Sequence, residues 1–456
     1  MERQYFGTDG IRGRVGLAPM TAEFAVRLGA AAGRVLGAAA GPGARPKVLI
    51  GKDTRISGYM LESALEAGFA AAGMDVVLLG PLPTPAVAYL TRSQGAIAGV
   101  VVSASHNPFD DNGIKFFSAT GEKLPDELEA RIEAEIAAPF ATVAPTQVGK
   151  AVRLGDAQGR YIEFVKSTLG GQSLADLREL RIVFDGAHGA AYQVGPAVLR
   201  EVGLRVDSIG VQPDGLNINA GCGATELAAL KQRVQETTAD LGIALDGDGD
   251  RLMLLTATGR VVDGDDLLYL LARDGQARGW LRGPVVGTQM TNFGIEQAFA
   301  AAGIGFRRAR VGDRYVHELL KESGGVLGGE ASGHLLLLHL ASTGDGLMSA
   351  LATLGLLART GRTLDELVAP IRRLPQHMIN VRIATGSRPL EDAGVRRAQA
   401  AVEAELAGRG RLVLRPSGTE PLIRVTVEGD DAAWVEGLAQ RLAAAVQAVA
   451  APNTQR

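Results

Sequence analysis

Short apolar runs alternate with helix-length amphipathic stretches along most of this chain. The segment KVLIGKDTRISGYMLESALEAGFAAAGMDVVLLG (47–80) opens on an apolar strand, crosses a polar loop, enters a helix and returns through a glycine to a second strand. The same order recurs in RIVFDGAHGAAYQVGPAVLREVGLRVDSIG (181–210) and in PVVGTQMTNFGIEQAFAAAGIGFRRARVG (284–312). In the first copy Leu61, Leu65 and Phe69 fall four residues apart, which places them on one face of a helix. Gly73, Gly203 and Gly303 close the three helical stretches, where a left-handed residue commonly ends a helix. Strand, helix and strand of this length form a βαβ unit, whose strands are parallel and buried. The recurrence predicts three α/β domains of related design, with mixed, largely parallel sheets.

After Pro370 the pattern changes. A strand is expected around His377 to Ile383, a helix from about Pro389 to Leu406, strands at RLVLR and PLIRVTVE, and a helix from about Asp431 to Val449. Two helices against a small antiparallel sheet predict a C-terminal α+β domain, with Leu367 to Leu374 as the linker. The expected boundaries are 1–153, 154–257, 258–370 and 371–456.

Composition narrows the partners. Glycine occupies 60 of 456 positions, about twice the usual share, without the period of collagen or a low-complexity tract. Lys plus Arg total 47 and Asp plus Glu 50, a net charge of −3, with the basic residues scattered. Nucleic-acid binding, which needs a basic stripe, is therefore not expected. A single cysteine, Cys222, rules out an internal disulfide and a Cys-based zinc site, and agrees with a reducing compartment. MERQYFGTDGIRGR has no apolar core of a signal peptide, and no run reaches the length of a membrane span. A soluble, cytoplasmic protein that does not engage a membrane is expected.

Four segments carry candidate chemistry. In LGIALDGDGDRLMLL (241–255) an apolar strand leads into Asp246, Asp248 and Asp250 at alternate positions. Carboxylates so close repel one another unless a cation joins them, and hard oxygen ligands point to Mg²⁺, with Ca²⁺ or Mn²⁺ as alternatives. An EF-hand is excluded, because its sixth and twelfth positions hold Arg251 and Ala257. In GVVVSASHNPFDDNGIKFF (99–117) the strand Val100 to Val102 delivers Ser103 and Ser105 to a loop closed by Asn107-Pro108. Neighbours in an extended chain point to opposite sides, so Ser105 and His106 do not by themselves make a hydrolase pair. Locally, Ser105 reads as a turn hydroxyl and Lys115 as a solvated lysine, unless this segment meets the aspartate loop. GRLVLRPSGTEPLIRV (410–425) surrounds a turn with Arg415, Ser417, Thr419 and Arg424, groups suited to a phosphate dianion. Composition alone leaves a structural turn equally open. GGEASGHL (328–335) offers Glu330, Ser332 and His334, which suit sugar hydroxyls.

Taken in order, SASHNP, DGDGDR, GEASGH and RPSGTEP resemble the motifs of the α-D-phosphohexomutase superfamily over nearly the whole chain. FGTDGIRG, GKDTRISG, NGIKFFS, GLNINAGCGATE and VGDRYV look like its phosphoglucosamine mutase branch. The resemblance implies three related α/β domains and a smaller fourth around one cleft, carrying in turn a phosphoserine, a metal, a sugar and a phosphate loop. It implies an intramolecular phosphotransferase that interconverts glucosamine 6-phosphate and glucosamine 1-phosphate through glucosamine 1,6-bisphosphate, feeding amino-sugar nucleotide and cell-wall synthesis. Ser105 would be the phosphoserine, and Asp246, Asp248 and Asp250 would hold Mg²⁺ together with an oxygen on Ser105. Lys115 and His106 would be acid–base candidates, and Arg12 and Arg251 would face the transferring group. Glu330, Ser332 and His334 would grip the sugar, and Arg415, Ser417, Gly418, Thr419 and Arg424 the second phosphate. Ala331 departs from the methionine usual in the glucose/mannose mutases. Phosphorylation of Ser105 would activate the enzyme, and a homodimer stays open. The alternatives are a glucose or mannose phosphomutase of the same superfamily, a non-catalytic phosphosugar-binding regulator, which would be expected to lose Ser105 or an aspartate, or an aspartyl-nucleophile phosphatase using Asp246. The phosphatase would leave SASHNP idle.

Overall fold

Each strand–helix–strand segment folds as its periodicity predicts. In the computed structural model, which describes residues 4–38, 45–384, 387–417 and 421–450, strands Lys47–Lys52 and Asp75–Pro81 run parallel around helix Ser57–Ala71. Strands Arg181–Asp185 and Arg205–Ile209 do so around helix Val194–Glu201, and Val285–Thr288 and Phe306–Ala309 around helix Phe293–Ala301. Gly73, Gly203 and Gly303 all have positive φ, as helix-terminating residues. Leu61, Leu65 and Phe69 are buried against the sheet they were expected to cover.

The repeat extends further than this unit. In the first sheet strand Ala98–Val102 adds in parallel, and strand Asp111–Ser118 follows it antiparallel. In the second sheet Leu241–Leu245 and Leu252–Thr256 take the same two places, and in the third Leu327–Gly329 and Leu335–Leu337 do. Each sheet thus contains the same four strands, two parallel pairings and one antiparallel. The connection across the antiparallel pair holds residues 103–110 in the first unit, 246–251 in the second and 330–334 in the third. Three equivalent loops therefore carry the three candidate motifs, each at the carboxyl end of a buried parallel strand, where open α/β sheets bind their ligands.

The terminal unit is a three-stranded antiparallel sheet of Gln376–Arg382, Leu422–Gly429 and Gly410–Pro416, covered by helices Ala393–Leu406 and Ala432–Ala450. Val381, Val425, Val427 and Leu442 belong to a core of its own, whereas one apolar cluster runs through the first three units. The terminal unit meets its neighbour through polar contacts. Arg411 donates to the carbonyls of Gln289 and Thr291, and Asn292 exchanges two hydrogen bonds with Leu374.

Three details differ from expectation. Leu364–Val368 is a short helix with a Thr363–Glu366 capping box, so the expected linker begins inside a helix. The helix placed from Pro389 starts at Ala393, because Asp392 accepts from the N–H groups of Gly394 and Val395 and caps it there. Val261–Val262, beyond position 257, still pairs in the second sheet.

Part of the glycine excess is helix packing. A Cβ on Gly68 would lie 2.2 Å from the carbonyl oxygen of Val26, and one on Gly29 2.7 Å from that of Leu65. Helices Ala22–Gly37 and Ser57–Ala71 can approach only because these side chains are absent. A Cβ on Gly437, by contrast, would meet nothing within 4 Å among the described residues. Gly68→Ala is expected to destabilise by about 1–3 kcal/mol, since the clash outweighs the helix propensity that alanine adds. Gly437→Ala should stabilise by up to about 1 kcal/mol. Urea midpoints moving in opposite directions check the pair.

Candidate active site

The first and second loops meet. Strand Ala98–Val102 ends at the buried Ser103, whose hydroxyl accepts from the Ser105 N–H (2.9 Å). Ser105 is buried and has φ +53°, a strained backbone for a residue with a side chain. Its hydroxyl donates to Asp246 Oδ2 at 2.6 Å, across 141 positions of sequence. This contact requires the glycine between the first two aspartates. A Cβ on Gly247 would lie 2.6 Å from the Ser105 carbonyl oxygen and 2.8 Å from Asn219 Nδ2.

Ser105 Oγ also lies 3.3 Å from His106 Nδ1. The expectation that these neighbours point apart fails because Ser105 is left-handed rather than extended. Burial, then the positive charges of Arg251 and Arg12, lower His106 to about 4, which leaves it neutral at neutral pH. Lys115 is likewise not solvated. Strand Asp111–Ser118 buries it with Nζ 2.8 Å from Asp248 Oδ2 and 3.0 Å from Asp9 Oδ2. Burial works against its charge, but Asp248, Asp9 and Asp250 outweigh it and hold Lys115 above the ordinary lysine range.

Asp246, Asp248 and Asp250 are buried, with one carboxylate oxygen from each within 4.8 Å of the others. Burial, with repulsion from Asp250 and Asp248, pushes Asp246 up to about 8. Burial opposes the Asp248 charge too, but Lys115 and the Thr84 hydroxyl at 2.6 Å hold it well below the usual carboxylate range. Asp248 Oδ1 and Asp250 Oδ1 are buried without a hydrogen-bond partner among the described residues. Leaving such oxygens unmet is costly, and three converging carboxylates, two of them with an unmet oxygen, form the donor set of a hard divalent cation.

A cleft of 800 Å³ opens on this centre and takes residues from all four units, including Arg12, Ser105, His106, Arg251, Glu330, Ser332, His334, Arg415 and Arg424. His334 lies 3.5 Å from Asp250 Oδ2 and 3.6 Å from Asp313 Oδ2. Burial disfavours its charge, yet Asp250, Asp313 and Glu330 carry it up to about 9. Burial also raises Glu330, whose carboxylate accepts from the Gly312 N–H. Arg415 and Arg424 are direct cross-strand partners, and each has a buried Nε without a hydrogen-bond partner among the described residues. Burial and the Arg424 charge lower Arg415. Two adjacent guanidinium groups with open donors suit a dianion. The Ser417 N–H donates to the Leu422 carbonyl, while Gly418 and Thr419 lie outside the described residues.

Sequence reasoning missed three charged residues. Asp9 joins Lys115 to Lys123 (2.6 Å) and pairs with Arg12, and Lys123 reaches Asp313 at 2.7 Å. With His334 and Asp250 they form a line of alternating charge across three units. Asp9 and Asp313 sit within FGTDGIRG and VGDRYV, which carried a signal, whereas nothing local marks Lys123.

Three repeated α/β units and an antiparallel terminal unit thus close on a serine beside an acidic triad and a paired-arginine site, the arrangement that the phosphohexomutase resemblance implies. Comparisons with known proteins agree. The four domain models of the phosphoglucomutase/phosphomannomutase family match in order: alpha/beta/alpha domain I over 3–142, domain II over 159–259, domain III over 263–374 and the C-terminal domain over 378–445. The chain belongs to this family. A phosphoglucosamine mutase of Erwinia tasmaniensis is 57% identical over 448 residues, covering 98% of this chain and all of that one. One from Xylella fastidiosa is 58% identical over 445 residues, covering 97% and 99%. A solved phosphoglucomutase/phosphomannomutase family protein of Burkholderia thailandensis has the same fold, with TM-score 0.81, 24% identity and 97% of each chain covered. So does N-acetylphosphoglucosamine mutase of Aspergillus fumigatus, in complex with GlcNAc-6P and magnesium, with TM-score 0.66, 18% identity and coverage of 99% and 96%.

A divalent cation at 100 times its dissociation constant should stabilise the protein by about 2.7 kcal/mol. Asp250→Asn should lose most of that gain in a thermal-shift titration. An equal shift in both proteins would place the cation elsewhere.

Proposed function

We propose that this chain interconverts glucosamine 6-phosphate and glucosamine 1-phosphate by passing a phosphoryl group through Ser105. The observation that carries the mechanism is the hydroxyl of Ser105, held 2.6 Å from the acidic triad and open to a cleft shared by all four units. The choice of sugar rests on the relatives named phosphoglucosamine mutase at 57–58% identity over nearly full length.

In this reading Ser105 carries the phosphoryl group at rest. The sugar O1 attacks phosphorus as the bond to Ser105 Oγ breaks, and the O1 proton leaves. Ser105 Oγ takes up a proton and the sugar becomes the 1,6-bisphosphate. His106 Nδ1, 3.3 Å from Ser105 Oγ, is placed to give and take the serine proton. Lys115, Arg12 and Arg251 supply positive charge around the transferring group. Asp246, Asp248 and Asp250, with an oxygen on Ser105, would hold Mg²⁺, which neutralises charge on the phosphoryl oxygens when bound. Glu330, Ser332 and His334 would hold the sugar hydroxyls, and Arg415, Ser417, Gly418, Thr419 and Arg424 the phosphate that stays. The bisphosphate then turns over, and the same steps run backward with the 6-phosphate.

An aspartyl nucleophile is disfavoured by position, because Asp246 accepts a hydrogen bond from Ser105 rather than facing the cleft alone. The boundaries near 153, 257 and 370 are part of this reading, as are a cytoplasmic setting and activation by phosphorylation of Ser105. Among the described residues no helix is long and apolar enough to cross a membrane. The separate core of the terminal unit, held by polar contacts, favours its opening and closing during turnover.

Intact-mass analysis should find one phosphate, lost in Ser105→Ala, and a coupled assay should show glucosamine 6-phosphate turned over faster than glucose or mannose phosphates. An unmodified, fully active Ser105→Ala protein sinks the mechanism, and equal rates on all three sugars sink the substrate assignment. Solution scattering should show contraction on adding bisphosphate; an unchanged profile counts against movement of the terminal unit.

A further inference from the structure

Two sequence segments, GKDTRISG and GLNINAGCGATE, have no role in the reading above, yet both end on the reacting loop. Arg55 of the first is fully buried. Its Nη2 donates to the carbonyl oxygens of Ser105 (3.2 Å) and Asn107 (2.5 Å), and its Nη1 pairs with the buried Asp53. Asn219 of the second segment belongs to the neighbouring unit, and its Nδ2 donates to the same two carbonyls, at 3.0 and 3.1 Å. Two donors from different units thus converge on the carbonyls that flank His106.

We propose that Arg55 and Asn219 are positioning residues that clamp this loop, fixing the left-handed conformation of Ser105 and hence the aim of its Oγ at the triad. Each donor is itself held. Asp53 accepts from the Arg55 N–H at 2.9 Å, and burial raises this carboxyl while Arg55 pulls it back. The Asn219 N–H donates to the Ala187 carbonyl, and Asp185 accepts from the N–H groups of Ala187 and Gly223. Asp53 follows the first parallel strand of its sheet and Asp185 ends that of the next, so equivalent places in two units support the two halves of the clamp.

The two halves tie the loop to different units. A serine at φ +53° is unfavourable by itself and persists only where its surroundings fix it. Arg55 ties the loop to its own sheet. Asn219 ties it to the unit that carries the aspartates, and its Nδ2 lies 2.8 Å from where a Cβ on Gly247 would stand. The clamp therefore sets the distance between the phosphoryl-bearing oxygen and the carboxylates, and neither Arg55 nor Asn219 lines the cleft.

This inference rests on phosphoryl transfer through Ser105, and the test separates the two. Asn219→Ala and Asn219→Asp are compared with wild type for kcat per phosphorylated Ser105, KM for glucosamine 6-phosphate, and melting temperature. The Asp variant keeps the shape and removes both donors. The clamp predicts kcat down about 10²-fold in each, as expected of an ångström-scale misplacement. KM should stay within about threefold, since the sugar and phosphate contacts are intact. Loss of loading by bisphosphate in a folded variant counts with this, because loading is the same transfer reversed. Arg55→Lys should show the same split; if it fails to fold, the Asn219 pair decides. A kcat within about twofold of wild type in both Asn219 variants, or a fall accounted for by melting alone, overturns the clamp. Wild-type protein without phosphate on Ser105 would instead fail the mutase reading.

Discussion

The hydrogen bond from Ser105 to Asp246 joins two loops that belong to different units, and the rest of the site is arranged around it. It can form only if backbone packs on backbone, which is why position 247 carries no side chain and why Ser105 accepts a left-handed conformation. Strain in one loop and missing side chains in the other are both consequences of one required distance. Phosphoryl transfer depends mainly on positioning and charge neutralisation, so a fold serving it should spend its rigidity at this point.

The repeat makes that arrangement economical. One four-strand pattern, used three times, presents the same hairpin connection at the mouth of a common cleft. The first copy supplies a hydroxyl, the second three carboxylates and the third an acid, a hydroxyl and an imidazole. A fourth, unrelated unit adds two adjacent arginines on an antiparallel hairpin. The first three units share an apolar core and are suited to holding the reacting atoms still. The terminal unit has its own core and polar contacts to its neighbour, which suits a clamp that must release.

Much of this was legible in the sequence because it depends on local periodicity. The parallel strands, their helices and the terminating glycines follow from patterns of two to four residues, and all three copies fold accordingly. The individual motifs were legible as chemistry but not as a site. Nothing near Ser105 says that Asp246 will accept its hydrogen bond, and only the resemblance of four segments in order brought them together. Lys115 read as solvated because its partners, Asp9 and Asp248, are supplied by distant strands and loops. Lys123 was invisible for the same reason, since its importance lies wholly in pairing across units with Asp313. The pairing of Ser105 with His106 was misjudged because an extended backbone was assumed where the fold imposes a strained one.

Passage of the transferred group through Ser105 is the step on which the proposed mechanism depends. Enzyme labelled with ³²P on Ser105 and mixed with unlabelled glucosamine 6-phosphate in a rapid-quench device addresses this directly. The label should move into sugar bisphosphate within the first turnover, at a rate no slower than kcat. Product appearing at full rate while the label stays on the protein would contradict it.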